Sequence, residues 1–227
     1  MKVLLRILGQ LVAAVALFLV TRTFLVEMFN IPTPSMQRTL LVGDFLVVDK
    51  LRYGAQIPFT HWRLPAIRHP ERGDVVVFRW PVNPDINFVK RVVGVPGDTL
   101  RMRAGKLIRN GVPLHEGYVT HLSPDTDPYA DAFSWQRDYL VSSLHARESG
   151  YWPSRNNWGP LIVPKGNYFV LGDNRDNSLD SRYWGFVPDS LVRGTPLLVY
   201  FSCVPDSASR MSCLTHARWR RFGTVVR

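Results

Sequence analysis

An apolar run from Val3 to Val26 constrains the fold of this chain more than any other feature. Its charged residues are Arg6 and Arg22, and the fifteen uncharged residues between them would form about 22 Å of helix. A bilayer core is about 30 Å thick, so Arg6 and Arg22 would snorkel to opposite interfaces while flanking apolar residues complete the span. The run therefore predicts a single N-terminal transmembrane anchor over residues 1–28.

Two other structures would share this composition: a cleaved signal peptide and the buried helix of a soluble protein. No small-x-small cleavage site follows the run, where residues 20–26 read Val-Thr-Arg-Thr-Phe-Leu-Val. We therefore favour an uncleaved anchor. The basic residues Lys2 and Arg6 favour a cytoplasmic N-terminus, although Arg22 opposes that orientation.

Downstream of Phe29, short β-branched and aromatic runs alternate with turn residues, and long helical periods are absent. This pattern predicts a mainly β fold, with a folded antiparallel sheet or barrel-like domain over residues 29–227. The runs that we expect to form strands are Asp44–Asp49, Asp74–Trp80, Phe88–Val95, Gly166–Gly172 and Pro196–Phe201.

Two stretches interrupt these runs. Residues 53–72 contain three prolines, which predicts a ribbon or long loop. The polar, tryptophan-containing stretch from His115 to Pro164 is too long for a plain loop. We expect an inserted β-rich subdomain there, at about residues 103–165.

The formal net charge of +10 suits either nucleic acid or anionic lipid headgroups. The basic residues accompany no recognised nucleic-acid motif, so we favour a membrane surface and expect no nucleic-acid partner. Cys203 and Cys213 lack the CxxC spacing of a zinc site, and we expect no metal. A disulfide between them would fit an oxidising compartment, but their spacing alone does not decide whether it forms.

Four segments concentrate reactive or hydrogen-bonding side chains. Ser35 lies in a rigid Ile-Pro-Thr-Pro-Ser-Met stretch directly after the anchor, and a Gly-Asp pair opens the strand at Asp44. Lys90 and Arg91 are neighbours in an apolar strand, so they point to opposite faces and one must face inward. Residues 172–186 read Gly-Asp-Asn-Arg-Asp-Asn-Ser-Leu-Asp-Ser-Arg-Tyr-Trp-Gly-Phe, which predicts a loop rich in polar side chains. Such a loop normally holds the structure around it in place through side-chain hydrogen bonds.

Together, in this order and spacing, the four segments resemble the bacterial type I signal peptidase (leader peptidase) family, whose members use a serine–lysine dyad. The resemblance extends from about Val20 to Val199. It implies a membrane-bound serine endopeptidase that removes N-terminal signal peptides from exported preproteins through an acyl-enzyme, without a cofactor. It also implies a single-pass protein of the bacterial inner membrane with its catalytic domain on the periplasmic side. The expected partners are signal peptides, the lipid bilayer and the Sec or Tat export machinery.

By the same resemblance, Ser35 matches the nucleophile and Lys90 the general base. A lysine acts as a base only when it is neutral, so we expect burial among apolar neighbours to depress the Lys90 pKa strongly. Thr33 matches a hydroxyl that helps to bind the oxyanion. Pro34 stands where many members have glycine or serine and has no N–H to donate, which leaves the Ser35 N–H and the Thr33 hydroxyl as oxyanion donors.

Five more positions match supporting roles in that family. Ser178 matches a serine that positions the lysine amine, and Asp180 and Arg182 match a structural ion pair behind the site. Ile31 and Val89 match walls of the pockets that accept small residues at −1 and −3 of the signal peptide.

Three other functions compete with this interpretation. A Ser-His-Asp hydrolase would draw on a histidine, although no Gly-x-Ser-x-Gly elbow is present. A non-enzymatic membrane-tethered β-domain would serve assembly or binding. A processing peptidase dedicated to one secretion or pilus substrate would have a weaker polar loop than residues 172–185 form. The available histidines are His61, His69, His115, His121, His145 and His216.

Overall fold

The computed structural model describes residues 2–57, 60, 62–121, 130–141, 151–205 and 212–227. Residues 122–129 and 142–150 of the predicted inserted subdomain lie outside the described residues, as does His61; His145 falls in the second of these gaps. The described residues form an N-terminal helix followed by two antiparallel sheets, so the predicted mainly β fold is confirmed.

The N-terminal apolar run forms helix α1, Lys2–Val20, which continues through one π-helical turn, Thr21–Leu25. Its apolar side chains are exposed along the helix, Leu8 and Val12 among them. Within the described residues, Arg6–Leu25 is the one segment long and apolar enough to cross a membrane. The chain passes from this segment directly into the first strand, so the helix ends where the sheet begins.

The larger sheet starts with β1 (Val26–Asn30), an edge strand that pairs with β2 (Asp44–Asp49). The late strand β11 (Val192–Ser202) lies between β2 and β3 (Val75–Arg79), and β3 pairs in turn with β4 (Asn87–Gly94). The strands that complete the sheet are β9 (Asn167–Leu171), which pairs with β4, β10 (Val187–Pro188), which pairs with β9, and β12 (Thr224–Val225), which pairs with β11.

The smaller sheet has four strands in the described part of the chain, in the order β7-β6-β5-β8. They are β5 (Thr99–Arg103), β6 (Lys106–Arg109), β7 (Val112–Pro113) and β8 (Trp158–Ile162). The strands of this sheet lie near the two ends of the range predicted for an inserted subdomain, and the first begins earlier, at Thr99. The division of the chain into an anchor, a catalytic domain and an insert stays a prediction.

Short helical segments connect the strands. A disulfide joins Cys203, just after β11, to Cys213. The helical segments are the α-helices α2 (Ser181–Trp184) and α3 (Ser212–Thr215) and the 3-10 segments Pro34–Met36, Ala130–Tyr139, Asp189–Leu191 and Trp219–Arg221.

The larger sheet is covered on both faces around β3. Val75 and Val77 pack into one apolar cluster with Ile31, whereas Val76 and Phe78 pack into another. Strands buried on both faces read as continuous apolar runs, which is the pattern of residues 75–78. The adjacent strand β4 therefore carries its polar side chains into a medium of low dielectric constant.

Candidate active site

Ser35 lies between β1 and β2, in the 3-10 turn Pro34–Met36. Proline suits the first position of such a turn, because an N–H there would have no partner within the turn. The Asn174 N–H donates to the Ser35 carbonyl oxygen at 3.1 Å, and the Asn174 side-chain amide donates to the Pro34 carbonyl at 3.4 Å. The polar loop near the C-terminal end of the domain thus fixes the backbone of this serine.

Asp44 closes the other end of the segment that carries Ser35. Its carbonyl oxygen accepts the Ile31 N–H at 2.9 Å, and its carboxylate accepts the Leu41 N–H at 2.8 Å. The guanidinium of Arg221 donates to both oxygens of this buried carboxylate, at 3.0 and 2.5 Å. The C-terminal segment therefore contributes directly to holding the loop around Ser35.

Lys90 projects from β4 toward this loop. Its Nζ lies 2.7 Å from Ser35 Oγ and 3.1 Å from the Val89 carbonyl oxygen. The side chain is only 4% exposed, and the ring of Phe88 lies 5.1 Å from the amine. Serine hydroxyl and lysine amine are thus in direct hydrogen-bond contact in a largely water-free environment.

Burial lowers the pKa of Lys90 from 10.5 to about 8, because the charged ammonium loses its hydration. The carboxylates of Asp180 and Asp173 partly oppose this by stabilising the charge, and the Arg182 guanidinium reinforces it. With a pKa near 8, about one lysine in ten is neutral at pH 7, which is several hundredfold more than for an ordinary lysine.

Arg91, the neighbour of Lys90, is also buried, so both faces of β4 accept a cationic side chain. Its guanidinium makes two 2.8 Å hydrogen bonds to the Asp173 carboxylate and donates to the Gly73 carbonyl at 2.7 Å. The ring of Tyr118 stacks on it at 4.0 Å. The two neighbouring residues therefore have different partners. Lys90 contacts Ser35, and Arg91 binds the polar loop to the sheet through Asp173.

Asp180 and Arg182 form a fully buried ion pair with a bidentate contact of 2.8 and 2.9 Å. The Asp180 carboxylate also accepts the Gly172 N–H at 3.0 Å, and Arg182 donates to the Arg175 carbonyl at 2.7 Å. The two residues were predicted as an ion pair, and the structure brings them together. This buried ion pair thus hydrogen-bonds to the backbone of the polar loop at Gly172 and at Arg175.

Ser178 lies inside this loop, and its buried side chain faces the backbone of Gly172. A Cβ on Gly172 would come within 2.2 Å of Ser178 Oγ and 2.5 Å of the Ser35 carbonyl oxygen. The hydroxyl helps to lower the pKa of Asp180 but makes no well-formed hydrogen bond within the described residues, to Lys90 or any other group. Its predicted contact with the lysine amine is therefore not formed in this state of the molecule.

Thr33, the predicted oxyanion-binding residue, is extended at φ −127° and ψ 152° and directly precedes the turn that carries Ser35. Its Oγ1 is 3.5 Å from Ser35 Oγ, and its side chain is exposed to the space in front of the serine. A hydroxyl in this position can donate a hydrogen bond to a carbonyl oxygen that becomes negatively charged beside Ser35 Oγ.

Ile31 and Val89, the predicted pocket walls, lie together in one apolar cluster beside the turn that carries Ser35. Ile31 is buried and Val89 is half-buried. The structure thus brings all eight predicted site residues into one region: the segment 31–35, the strand β4 and the loop 172–182.

Reasoning from the sequence missed three residues that support this region: Thr39, Asp173 and Asn174. The Thr39 hydroxyl donates to the Asp173 carboxylate at 2.5 Å and accepts a hydrogen bond from Arg91 at 3.2 Å. An arginine within an apolar strand was the available signal, because a buried guanidinium needs a carboxylate partner. Its partner could not be chosen among the several carboxylates of the polar loop.

No histidine contacts Ser35 among those the structure describes. His69 lies near Asp189 at 3.7 Å, His121 near Asp176 at 3.0 Å, and His216 near its neighbour Thr215. Across the same described ranges, no group of three metal-ligating side chains could hold a metal ion. Within these described ranges, the basic side chain in hydrogen-bond contact with Ser35 Oγ is Lys90.

Comparison with known proteins extends over most of the chain. A family model described as signal peptidase, peptidase S26, matches residues 4–201. The signal peptidase I of Pseudomonas fluorescens is 40% identical over 195 residues, which is 81% of this chain and 68% of that protein. The signal peptidase I of Pseudomonas aeruginosa is 42% identical over 197 residues, with the same coverage of 81% and 68%.

A solved structure also shares this similarity. The crystal structure of a signal peptidase I from Enterococcus faecalis V583 is 32% identical and covers 57% of this chain and 98% of its own, with a TM-score of 0.38. The match of the family model and the identity to the two Pseudomonas proteins show that this chain belongs to the signal peptidase family of S26 peptidases.

Proposed function

We propose that this chain is a membrane-anchored serine endopeptidase that removes N-terminal signal peptides from exported preproteins by Ser-Lys dyad catalysis. Membership in the family supports signal-peptide removal by a serine peptidase. The observation that carries the mechanism is the 2.7 Å contact between Ser35 Oγ and the buried Lys90 amine. Serine is a poor nucleophile until a base takes its proton, and this amine is the base in contact with it.

In the acylation step, neutral Lys90 accepts the Ser35 proton while Oγ attacks the scissile carbonyl carbon. The resulting ammonium then protonates the leaving amine of the mature protein, and the signal peptide stays bound to Ser35 as an ester. In the second step, Lys90 takes a proton from water, the hydroxide attacks the ester, and Ser35 regains its proton.

The oxyanion of each tetrahedral intermediate would be bound by the Ser35 N–H and the Thr33 hydroxyl. The first turn of a helical segment leaves its N–H groups without partners inside the helix, and Ser35 is the second residue of its 3-10 turn. Pro34 cannot donate, so the side chain of Thr33 supplies the second hydrogen bond. Donors of this kind stabilise the charge that develops in the transition state.

Ser178, Asp180 and Arg182 would act on Lys90 rather than on the substrate. The charges of Asp180 and Arg182 shift the Lys90 pKa in opposite directions, so the pair sets the fraction of neutral amine. Ser178 would hold the amine through its hydroxyl once substrate occupies the site, by a small rotation from its present position.

The substrate would bind as an extended strand beside the segment Ile31–Thr33. β1 is an edge strand, and an extended peptide can add to such an edge through main-chain hydrogen bonds. Ile31 and Val89 would then line shallow pockets that admit only small side chains at −1 and −3. The polar loop at residues 172–185 is fully developed, which favours a general signal peptidase over one dedicated to a single pilus or secretion substrate.

Residues 1–28 would form the anchor in the bacterial inner membrane, with residues 29–227 on the periplasmic side. Ser35 follows the end of the membrane segment at Leu25 by only ten positions, so the nucleophile would work near the lipid surface where signal peptides emerge. The disulfide between Cys203 and Cys213 fits an oxidising compartment. Substrates would arrive from the Sec or Tat export machinery.

A cleavage assay tests this proposal. The full-length protein in detergent would be incubated with a preprotein that carries Ala-x-Ala before the cleavage site. We expect cleavage by the wild type, even with a metal chelator, and none by Ser35→Ala or Lys90→Ala. Full activity of Lys90→Ala, or loss of activity on replacing one of the six histidines, would favour the Ser-His-Asp alternative instead.

A further inference from the structure

A cavity of about 700 Å³ lies where the N-terminal helix meets the larger sheet. One wall comes from the end of the helical segment, through Phe18, Leu19 and Arg22. The opposite wall comes from the sheet, through Lys50, Arg79 and Arg193. The cavity is lined at the start of β1, whereas Ser35 follows the end of that strand, so it is separate from the candidate active site.

The cavity has an excess of positive charge. Lys50 pairs with Glu27 at 3.3 Å, which accounts for the acidic residue in the lining. Within the described ranges, Arg22, Arg79 and Arg193 form no ion pair with a carboxylate. Arg193 donates to the side-chain carbonyl of Gln56, a neutral partner.

The arginines repel one another at this site. Burial lowers the pKa of Arg193 and the nearby charge of Arg79 lowers it further; the Glu27 carboxylate partly opposes this shift, and Arg63 adds to it. Positive charges held together in this way, where Glu27 is the one carboxylate among the lining residues and already pairs with Lys50, are stabilised when an anion binds between them. Arginine in particular matches the geometry of phosphate oxygens through its planar set of donors.

We propose that this cavity binds the phosphodiester headgroup of an anionic phospholipid. This inference rests on the proposed function in one respect, that the helix spans the membrane. Residues 6–25 would then end at the outer interface, at the depth of the headgroups. A phosphate would lie among Arg22, Arg79 and Arg193, while Phe18 and Leu19 contact the start of an acyl chain.

The apolar half of the cavity selects a lipid over a free anion. Inorganic phosphate would gain nothing from Phe18 and Leu19 and would lose its hydration, whereas a phospholipid fills both halves of the site. A zwitterionic lipid carries a cation next to its phosphate, choline in the case of phosphatidylcholine, which the surplus arginines repel. A bound anionic lipid would fix the angle between the helix and the sheet, and hence the height of Ser35 above the bilayer.

The test measures lipid retention by the full-length protein in nonionic detergent, using native mass spectrometry. The probes are dioleoyl phosphatidylglycerol, dioleoyl phosphatidylcholine and inorganic phosphate. We expect one phosphatidylglycerol to be retained in preference to phosphatidylcholine, and excess inorganic phosphate not to displace it. The double variant Arg79→Gln/Arg193→Gln is expected to bind it about tenfold more weakly or worse, because two charge-assisted contacts are lost.

The matched control is Arg103→Gln/Lys106→Gln, which removes the same charge from exposed positions of the smaller sheet. It should retain phosphatidylglycerol as the wild type does. Equal retention of the two lipids, displacement by phosphate, or equal loss in both double variants would each overturn the proposal. The single variant Arg79→Gln, checked by thermal unfolding, is expected to show an intermediate loss, and wild-type retention in it would count against the site.

Failure of this inference can be told apart from failure of the proposed function. Cleavage of a preprotein by the wild type in detergent, with Ser35→Ala as the blank, reports on the peptidase without reference to lipid. Extraction of cell membranes with alkaline carbonate reports separately on whether the helix is embedded. Active, embedded protein that shows no preference for phosphatidylglycerol would overturn the headgroup site alone.

Discussion

The Nζ atom of Lys90 and the Oγ atom of Ser35 lie 2.7 Å apart although 55 positions separate them in the sequence. Within the described residues the amine makes one further hydrogen bond, to the Val89 carbonyl oxygen, and burial lowers its pKa to about 8. The protein thus keeps a basic group largely dehydrated and in contact with a hydroxyl, a condition that weakens the lysine's hold on its proton.

The pH dependence of cleavage should follow the Lys90 pKa. Because only the neutral amine accepts the serine proton, kcat/KM should rise about tenfold per pH unit below pH 8 and level off above it. Initial rates on a preprotein between pH 6 and 10 provide the measurement. A midpoint near 6.5, the ordinary value of a histidine, would point to a different base.

Replacing Lys90 by methionine should abolish cleavage and yet stabilise the protein at neutral pH. The folded-state pKa is lowered from 10.5 to about 8, so unfolded chains bind more protons between these values and stability rises with pH across that window. Below pH 8, burying the lysine therefore lowers the free energy of unfolding by up to about 3 kcal/mol. A buried methionine carries no such cost. Urea unfolding at pH 7 and 10.5 measures this difference, with exposed Lys106→Met as the control. Equal stabilisation at both pH values would contradict the linkage.

Asp180 and Arg182 should shift the pH profile in opposite directions when neutralised. The Asp180 carboxylate raises the Lys90 pKa and the Arg182 guanidinium lowers it, so Asp180→Asn should move the midpoint down and Arg182→Gln should move it up. Each change also breaks a buried ion pair and is expected to cost about 3–5 kcal/mol of stability. Profiles that scale in height without moving along the pH axis would indicate a purely structural pair.

Gly172→Ala should impair the site through one methyl group. Its Cβ would lie 2.5 Å from the Ser35 carbonyl oxygen and 2.2 Å from Ser178 Oγ, so the loop and the serine turn would have to separate. We expect about 1–3 kcal/mol of destabilisation and a large drop in kcat. Gly117→Ala is the matched control, because a Cβ there meets nothing within 4 Å. Wild-type kcat in Gly172→Ala would show that the contact is not needed for activity.

Thr33→Val should reduce kcat about 10²–10³-fold if its hydroxyl binds the oxyanion, with little change in stability. Thr33→Ser keeps the hydroxyl and should retain most of the activity. Pro34→Gly restores an N–H but loosens the unfolded chain, and should cost about 0.4–1 kcal/mol of stability. Single-turnover rates on a preprotein distinguish these effects, and comparable rates for valine and serine at position 33 would remove the hydroxyl from the mechanism.

Local patterns predicted individual strands better than their arrangement. The run Asp44–Asp49 forms β2 with those bounds, because its alternation matches one buried face. β11 begins at Val192, four positions before the predicted run, because pairing with β2 and β3 rather than local composition extends it. Its place between those two strands is a long-range property that no local pattern encodes.

In the candidate active site, too, local features could be predicted from the sequence and long-range contacts could not. Ser35 and Lys90 could be identified because their segments resemble a known family, and alternation correctly placed Lys90 and Arg91 on different faces. Alternation could not reveal that both faces are covered, or that Asp173 is the carboxylate that meets Arg91. Which carboxylate pairs with Arg91 is determined by how the loop at residues 172–182 packs on the sheet, and local sequence does not encode that packing.

The position of β11 has a consequence for newly made protein. Ser35 precedes β2 and Lys90 lies on β4, and the two strand pairs β1–β2 and β3–β4 are joined through β11, whose residues are synthesised last among them. A nascent chain that stops before Val192 has Ser35 and Lys90 on separate strand pairs and is expected to cleave nothing. We therefore expect peptidase activity to appear only once β11 has been synthesised and has paired with β2 and β3.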